Sequence, residues 1–226
     1  KTTIEEVKRC FSNPKSKSDR MVVNSYKAIA YMRNKTISEH SLLDAWKILV
    51  DGVCENESVK GVKYRSGMVT IGDSLGRVIH APAKPEDIQG FMDPLFDYLQ
   101  RGNSTFPDSF VRAIIAHFYF VYIHPMCDGN GRLARLLMLM YMNEHGYHKV
   151  LNLTVSKSIT ENISGYYNSF IEAEKQITLG AMVVLDVTPF LVYMLQVFRR
   201  SLLTYNVYNT TTLSEKELTV VTKMKK

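Results

Sequence analysis

Residues 107–123, "PDSFVRAIIAHFYFVYI", constrain the fold more than any other stretch. Phe110, Ile114, Phe118 and Val121 mark one helical face, while Ile115, Tyr119 and Phe120 fill the others. A helix that is apolar nearly all round has to lie buried at the centre of a domain. A second core helix follows, with Leu133, Leu136, Leu137 and Met140 at helical spacing and Gly146 placed to end it. Between the two stands "HPMCDGNGRLAR", residues 124–135. A polar turn held between rigid elements is where positional chemistry is usually carried.

The rest of the chain reads mostly as helix. Helical spacing over 22–34 and 38–53 predicts two helices, the second capped by Ser38 with Leu42, Trp46 and Leu49 on one face. Residues 64–82 differ: the β-prone runs "MVTI" and "RVIH" flank "GDSLG", which predicts a hairpin ended by Pro82 and Pro85. Helix returns over 85–100, 159–175 and 186–203, the last with Asp186 or Thr188 as cap and Pro189 in its first turn. "NPKSKSD" at 13–19 reads as a polar linker. The expected fold class is all-α with one small β-hairpin.

Composition narrows the setting. No apolar run reaches the length of a membrane span, so no membrane partner is expected. A net charge of +6 suits nucleotides, and a solvated basic surface explains it equally well. Cys10, Cys54 and Cys127 are odd in number and scattered, which fits a reducing compartment and a cytoplasmic location. Cys127 near His124 invites a nucleophile reading, but Cys–His pairs usually come from distant parts of a chain. The plainer reading is a small residue packed under a loop. The chain opens with Lys1 and stops within "ELTVVTKMKK", and so reads as a piece of something longer.

The turn itself has the composition of a phosphate site. Gly129 and Gly131 permit left-handed backbone, in which successive N–H groups converge into an anion-binding nest. A helix starting near Gly131 points its positive end at the same spot. Arg132 and Arg135 oppose that dipole, a local violation that tends to mark function. Two guanidiniums, a nest and a helix end together suit a polyphosphate. Asp128 supplies the carboxylate that a phosphate-bound Mg²⁺ takes, and His124 suits a base near neutral pH. His124 beside a core helix also reads as structural. An EF-hand is excluded because Arg132 and Leu133 stand where an acid or amide and a glycine belong. "GDSLG" lacks the GK[ST] ending of a P-loop.

These residues resemble the Fic signature H-P-F-x-D/E-G-N-G-R-x-x-R at every specified position but one, Met126 standing for the usual Phe. "GVKYR", the hairpin around "VTIG", "GYYNSF" and "DVTPFLVYML" follow the family's order, so the resemblance covers roughly residues 20 to 205. It implies an all-helical Fic-type bundle with a β-hairpin flap, and transfer of AMP from ATP to a Tyr, Thr or Ser hydroxyl of a target protein. It makes His124 the base and Asp128 the Mg²⁺ ligand. Gly129, Asn130 and Gly131 line the anion hole, Arg132 holds the β and γ phosphates, and Arg135 holds the γ phosphate. Val69, Thr70, Ile71 and Gly72 clamp the target segment by strand addition. Tyr166 and Tyr167 flank the base, with Glu174 about where relatives carry an asparagine.

The expected division is an N-terminal segment over 1–20, a Fic domain over 21–205 and a C-terminal extension over 206–226. In the extension, Ser214 and Glu217 form a capping box, and relatives often carry a winged-helix domain there. Alternatives to AMP transfer are a regulatory nucleotide-binding module linked to DNA, a non-catalytic module, and a Fic-type transferase of another phosphate-containing group. Gly131, where phosphate-transferring relatives carry Lys, argues against the last. Self-modification, a homodimer and DNA through the extension are the further partners considered. Many relatives carry a braking helix, Ser/Thr-x-x-x-Glu-Gly/Asn, whose glutamate competes with the γ phosphate for the second arginine. Thr2 and Glu6 have that spacing but Val7 follows, and "TTIEEV" resembles the stretch just after the brake. The brake is therefore expected immediately before Lys1.

Overall fold

Capping decides where the first helices begin. The computed structural model describes residues 4–54, 62–72, 76, 78–101, 108–179 and 182–212. It divides into two compact units, Lys1–His148 and Lys149–Lys226. In the first, α1 (Ile4–Ser12) precedes α2 (Lys17–Met32), whose N-cap Ser16 accepts from the Asp19 N–H while Asp19 accepts from the Ser16 N–H. The polar run 13–19 is thus no linker throughout: Ser-x-x-Asp is a capping box, and the helix starts inside the run. Asp19 also takes two hydrogen bonds from the Arg9 guanidinium, at 2.9 and 3.0 Å, which hold its carboxyl well below the usual range and tie α1 to α2. Next, α3 (Glu39–Val50) is capped by Ser38 and buries Leu42, Trp46 and Leu49, as its spacing predicts.

The hairpin is shorter than its sequence suggests. Strands β1 (Ile71–Gly72) and β2 (Val78–His80) run antiparallel with Ile71 opposite His80 and Gly72 opposite Val78, and the register shifts between the two pairs. Residues 73–75 of the turn lie outside the described residues. After a 3₁₀ turn at Pro85–Asp87 comes α4 (Ile88–Gln100). It packs on α5 (Asp108–Ile123), which packs in turn on α6 (Asn130–Glu144). Ile114, Phe118, Phe120 and Ile123 of α5 are buried on different sides, as an all-round apolar helix requires. Each such side chain contributes about 1.5–3 kcal/mol by leaving water. Leu133, Leu136, Leu137 and Met140 form the facing stripe of α6. Gly146, at φ +91°, ends α6 while the Tyr147 N–H donates to the Met142 carbonyl at 2.9 Å.

The second unit holds α7 (Val155–Thr160), α8 (Ile163–Ala173), β3 (Gln176–Leu179), β4 (Met182–Leu185) and α9 (Thr188–Thr212). Phe170, Phe190, Met194 and Val197 form its core. Asp186 accepts from the Thr188 N–H at 3.0 Å, which settles the cap of α9. The antiparallel pair β3–β4 was not expected. Its signal is "QITLGAMVVL", β-branched residues on both sides of Gly180, between two helices. The capping box at Ser214 lies outside the described residues. The fold class is all-α with the expected small hairpin, and β3–β4 adds a second. No helix among the described residues is long and apolar enough to cross a membrane.

Candidate active site

The chain leaves α5 at His124 with φ +52°, a left-handed backbone on a residue that carries a side chain. That conformation costs about 1–2 kcal/mol, so the surroundings have to hold it. Arg65 does so from a buried position. Its Nε donates to the His124 carbonyl at 2.7 Å, and Nη1 donates to the Gly67 carbonyl at 2.7 Å. Nη2 donates to the Ala83 carbonyl and, at 3.5 Å, lies by that of Ile123. The Arg65 N–H donates to the Pro125 carbonyl at 2.9 Å. Burial pushes the pKa of this guanidinium down, and carbonyl oxygens replace its water. Sequence reasoning assigned Arg65 no role: neither period nor spacing marks an arginine as buried. Its one signal is its place in "GVKYR".

The His124 imidazole is set in one tautomer. Its Nδ1 lies 3.2 Å from the Val121 carbonyl, which only accepts, so Nδ1 carries the hydrogen and Nε2 keeps its lone pair. Burial lowers its pKa to about 4; the bond to Val121 works the other way, and nearby His80 and Arg65 add to the lowering. The ring is neutral at pH 7 and able to accept a proton. His80, in β2, points its Nε2 at the Tyr122 carbonyl at 2.6 Å, which joins the hairpin to the end of α5.

Past His124 the turn is tied by side-chain bonds to backbone. Asn130 Oδ1 accepts from the Met126 N–H at 2.8 Å, and its Nδ2 donates to the Met126 carbonyl at 2.7 Å. Any contribution of Asn130 to an anion site therefore comes from its N–H. Trp46 Nε1 donates to the Asp128 carbonyl at 2.9 Å. Gly129, at φ +80°, is the N-cap of α6, and a Cβ there would meet Val50 Cγ1 at 3.3 Å. Gly131 departs from the left-handed role expected of it. It lies inside α6, and what it supplies is room: a Cβ would stand 3.5 Å from Arg135 Nη1. Met126, 2% exposed, fills the apolar anchor position.

The charged groups converge on the same corner. Arg132 Nη1 donates to the Leu49 carbonyl at 2.8 Å, and Nη2 lies 3.6 Å from Asp128 Oδ2. Asp128 Oδ1 accepts from the Gly129 N–H at 2.6 Å, and its carboxylate is about half exposed. Among the described residues no three His, Cys, Asp or Glu side chains cluster as a metal site. Asp128 alone therefore fits a cation that arrives already held by phosphates, as Mg²⁺ does. Arg135 lies beside His117, whose pKa falls to about 3 through burial with help from that arginine. Cys127 is exposed rather than packed under the turn. Desolvation and the Cys54 thiol push its own thiol up, the opposite of what an activated nucleophile needs.

The flap residues are less constrained. Val69 is half-buried and Thr70 exposed, and both precede the ladder, which begins at Ile71; Gly72 is exposed. Tyr166 and Tyr167 belong to the second unit. There Tyr166 is buried against Phe190 and Tyr193, with Tyr167 set edge-on to it at 5.7 Å. One turn and one helix thus bring together His124, Asp128, Gly129, Asn130, Gly131, Arg132 and Arg135.

The Fic/DOC family model matches residues 36–142, which hold the hairpin, α5 and the whole motif turn. The chain is similar to "Protein adenylyltransferase Fic" of Nematostella vectensis, 33% identical over 103 residues that make up 40% of this chain and 23% of that protein. It is similar to "Protein adenylyltransferase fic-1" of Caenorhabditis elegans, 37% identical over 70 residues, 31% of this chain and 14% of that protein. The match thus spans less than a quarter of either relative. The crystal structure of a Fic family protein from Desulfovibrio desulfuricans G20 superposes with a TM-score of 0.74 at 24% identity, over 94% of this chain and 62% of that one. That likeness shows the fold.

Proposed function

Because residues 36–142 belong to the Fic/DOC family, we propose that this chain is a protein adenylyltransferase that moves AMP from Mg·ATP to a Tyr, Thr or Ser hydroxyl of a target protein. The observation that carries the reading is the neutral His124 with hydrogen on Nδ1, set at the mouth of a turn that gathers Asp128, Arg132, Arg135 and the N-terminus of α6.

In this reading His124 Nε2 takes the proton of the target hydroxyl as its oxygen attacks the α phosphorus. One O–P bond forms, the bond to the β-phosphate oxygen breaks, and pyrophosphate leaves. The backbone N–H groups of Asn130 and Gly131 face the developing charge at the positive end of α6, joined by that of Gly129 once Asp128 turns from it to the cation. Arg132 turns from Leu49 and Asp128 to the β and γ phosphates, and Arg135 holds the γ phosphate. Asp128 would hold Mg²⁺ together with those phosphates, and the ion would supply charge neutralisation. Phosphates brought beside His124 raise its pKa from about 4 toward the range a base needs. Val69 to Gly72 receive the target backbone by strand addition. On the resemblance alone, the base is assigned to Tyr166 and Tyr167. The names of these relatives support adenylyl transfer as the reaction.

The test supplies α-labelled and γ-labelled ATP in parallel, with the protein itself as fallback acceptor. Label from the α position that disappears in His124→Ala supports the reading. Label arriving only from the γ position sinks it.

A further inference from the structure

Cys54 and Cys127 are distant in the chain and adjacent in the fold. Cys54 lies just after α3, and its N–H donates to the Val50 carbonyl at 3.1 Å. Cys127 sits in the motif turn between His124 and Asp128. That turn is docked on the end of α3 at three further points. Trp46 Nε1 reaches the Asp128 carbonyl at 2.9 Å, Arg132 Nη1 reaches the Leu49 carbonyl at 2.8 Å, and Gly129 lies against Val50. The Cys54 thiol is near enough to the Cys127 thiol to push its pKa up. Cys127 is exposed and Cys54 half-buried, so a solute reaches the pair. Cys10 is buried and hydrogen-bonded to Asp19 at 3.2 Å.

We propose that Cys54 and Cys127 form a reversible intramolecular disulfide that fastens the motif turn to the end of α3. The oxidant is a low-molecular-weight disulfide. One protein thiolate attacks it, forming a mixed disulfide and releasing one small thiolate. The second protein thiolate displaces the other small thiolate and closes the protein S–S bond. The oxidant's S–S bond is reduced to two thiols, which take up the two protons the cysteines lose.

The bond sets the sulfurs about 2.05 Å apart and fixes the Cβ atoms about 3.8 Å apart. The residue pulled is flanked by His124 and Asp128, so Asp128 and the Gly129 N–H move relative to the imidazole. A displacement of about 1 Å costs an aligned reaction up to about 10²-fold. This effect on rate rests on the transferase reading above; the bond itself does not.

The experiment equilibrates the full chain in mixtures of reduced and oxidised glutathione. Remaining thiols are alkylated and the cysteine peptides mapped by mass, while transfer from α-labelled ATP is measured in parallel. A Cys54–Cys127 cross-linked peptide should grow with oxidised glutathione while Cys10 stays alkylated. Transfer should fall in proportion by up to about 10²-fold and return with dithiothreitol. Cys127→Ser should keep the reduced rate and lose the response. Glutathione on either cysteine without a cross-link, or both thiols alkylated in the most oxidising mixture, overturns the bond. A cross-linked protein that transfers as fast as the reduced one overturns the switch. If reduced protein transfers nothing, the transferase reading fails and the peptide map still decides the bond.

Discussion

The motif turn and the flap are neighbours built in opposite ways. Between Val121 and Arg132 the backbone is held by Arg65, Trp46, Asn130 and Arg132, each bonding a main-chain carbonyl or N–H from a largely buried position. The flap has a two-pair ladder with a register shift, and Thr70 before it is exposed. The turn is fixed before any ligand arrives, as the alignment demanded by the proposed phosphoryl chemistry requires. A target segment brings its own backbone hydrogen bonds, so its receiving edge gains nothing from being filled in advance. On the transferase reading, the difference separates a part that carries out the reaction from a part that receives whatever is to be modified.

The sharpest way to test that division is His124→Ala. The side chain makes one long hydrogen bond to its own helix, so the fold should survive. Transfer should fall by about 10²–10⁴-fold, the usual worth of a general base. Circular dichroism and label transfer on the same sample check this, and a variant that retains activity would end the role given to the imidazole.

Arg65 joins the two regions, because it bonds backbone before the flap at Gly67, after it at Ala83, and in the turn at His124. In Arg65→Met those carbonyls lose their donor, at about 1–3 kcal/mol for each one left buried. Stability by urea unfolding should drop by roughly 3–5 kcal/mol, within the range for breaking a buried hydrogen-bond network. Transfer should fall too as His124 loses its enforced φ. Arg65→Lys should rescue little, since one ammonium cannot reach carbonyls spread around a planar fork. An unchanged unfolding midpoint would mean the turn is held without this hub.

Acid should break the turn and core before the flap. His124 has a native pKa of about 4 and His117 about 3, against about 6.5 unfolded. Both are depressed, so the unfolded chain binds their protons first. Their contribution is whole above pH about 6.5 and is lost as the pH falls toward 4 for His124 and toward 3 for His117. His117→Gln should lessen that decline from pH about 6.5 downward and remove most of it between 4 and 3, and a slope of stability against pH that it does not alter would contradict this account. The acid limb of kcat/KM should sit well below 6.5 for the same reason.

How far the sequence was legible follows the same division. Local signals were readable: Ser38 as a cap, Gly146 in a left-handed ending, and the all-round apolar character that buries α5. The motif named the side chains of the turn, because they lie within one short run. What holds them was not legible. Trp46 reads as a core residue, yet its N–H supports Asp128 from a helix far upstream. Asn130 reads as an anion ligand, yet its side chain closes a ring with Met126. Arg65 carries no sign of burial in the sequence, since arginines usually lie at the surface. Such bonds pair a side chain with the backbone of distant residues, and backbone partners leave no mark in residue identity. The helix start at 17 and the pair β3–β4 were missed for another reason: short polar or β-branched runs fit more than one structure until neighbours decide.

The smallest effect, and the finest test of the division, is at Thr70. Its side chain is exposed and it precedes the ladder at Ile71, so the native fold draws little from it. Thr70→Ala should change transfer to a protein target by less than about 2-fold, as expected of a surface substitution. Thr70→Pro keeps extended backbone accessible but removes the N–H. If the edge works by strand addition, one main-chain bond is lost, worth about 0.5–1.5 kcal/mol, or roughly 2- to 12-fold in KM for the target. Hydrolysis of ATP to AMP without a target should be equal in the two variants, because the turn does not need Thr70. An alanine variant as impaired as the proline one would make the threonine side chain the recognition element, and the flap would then be as specified as the turn.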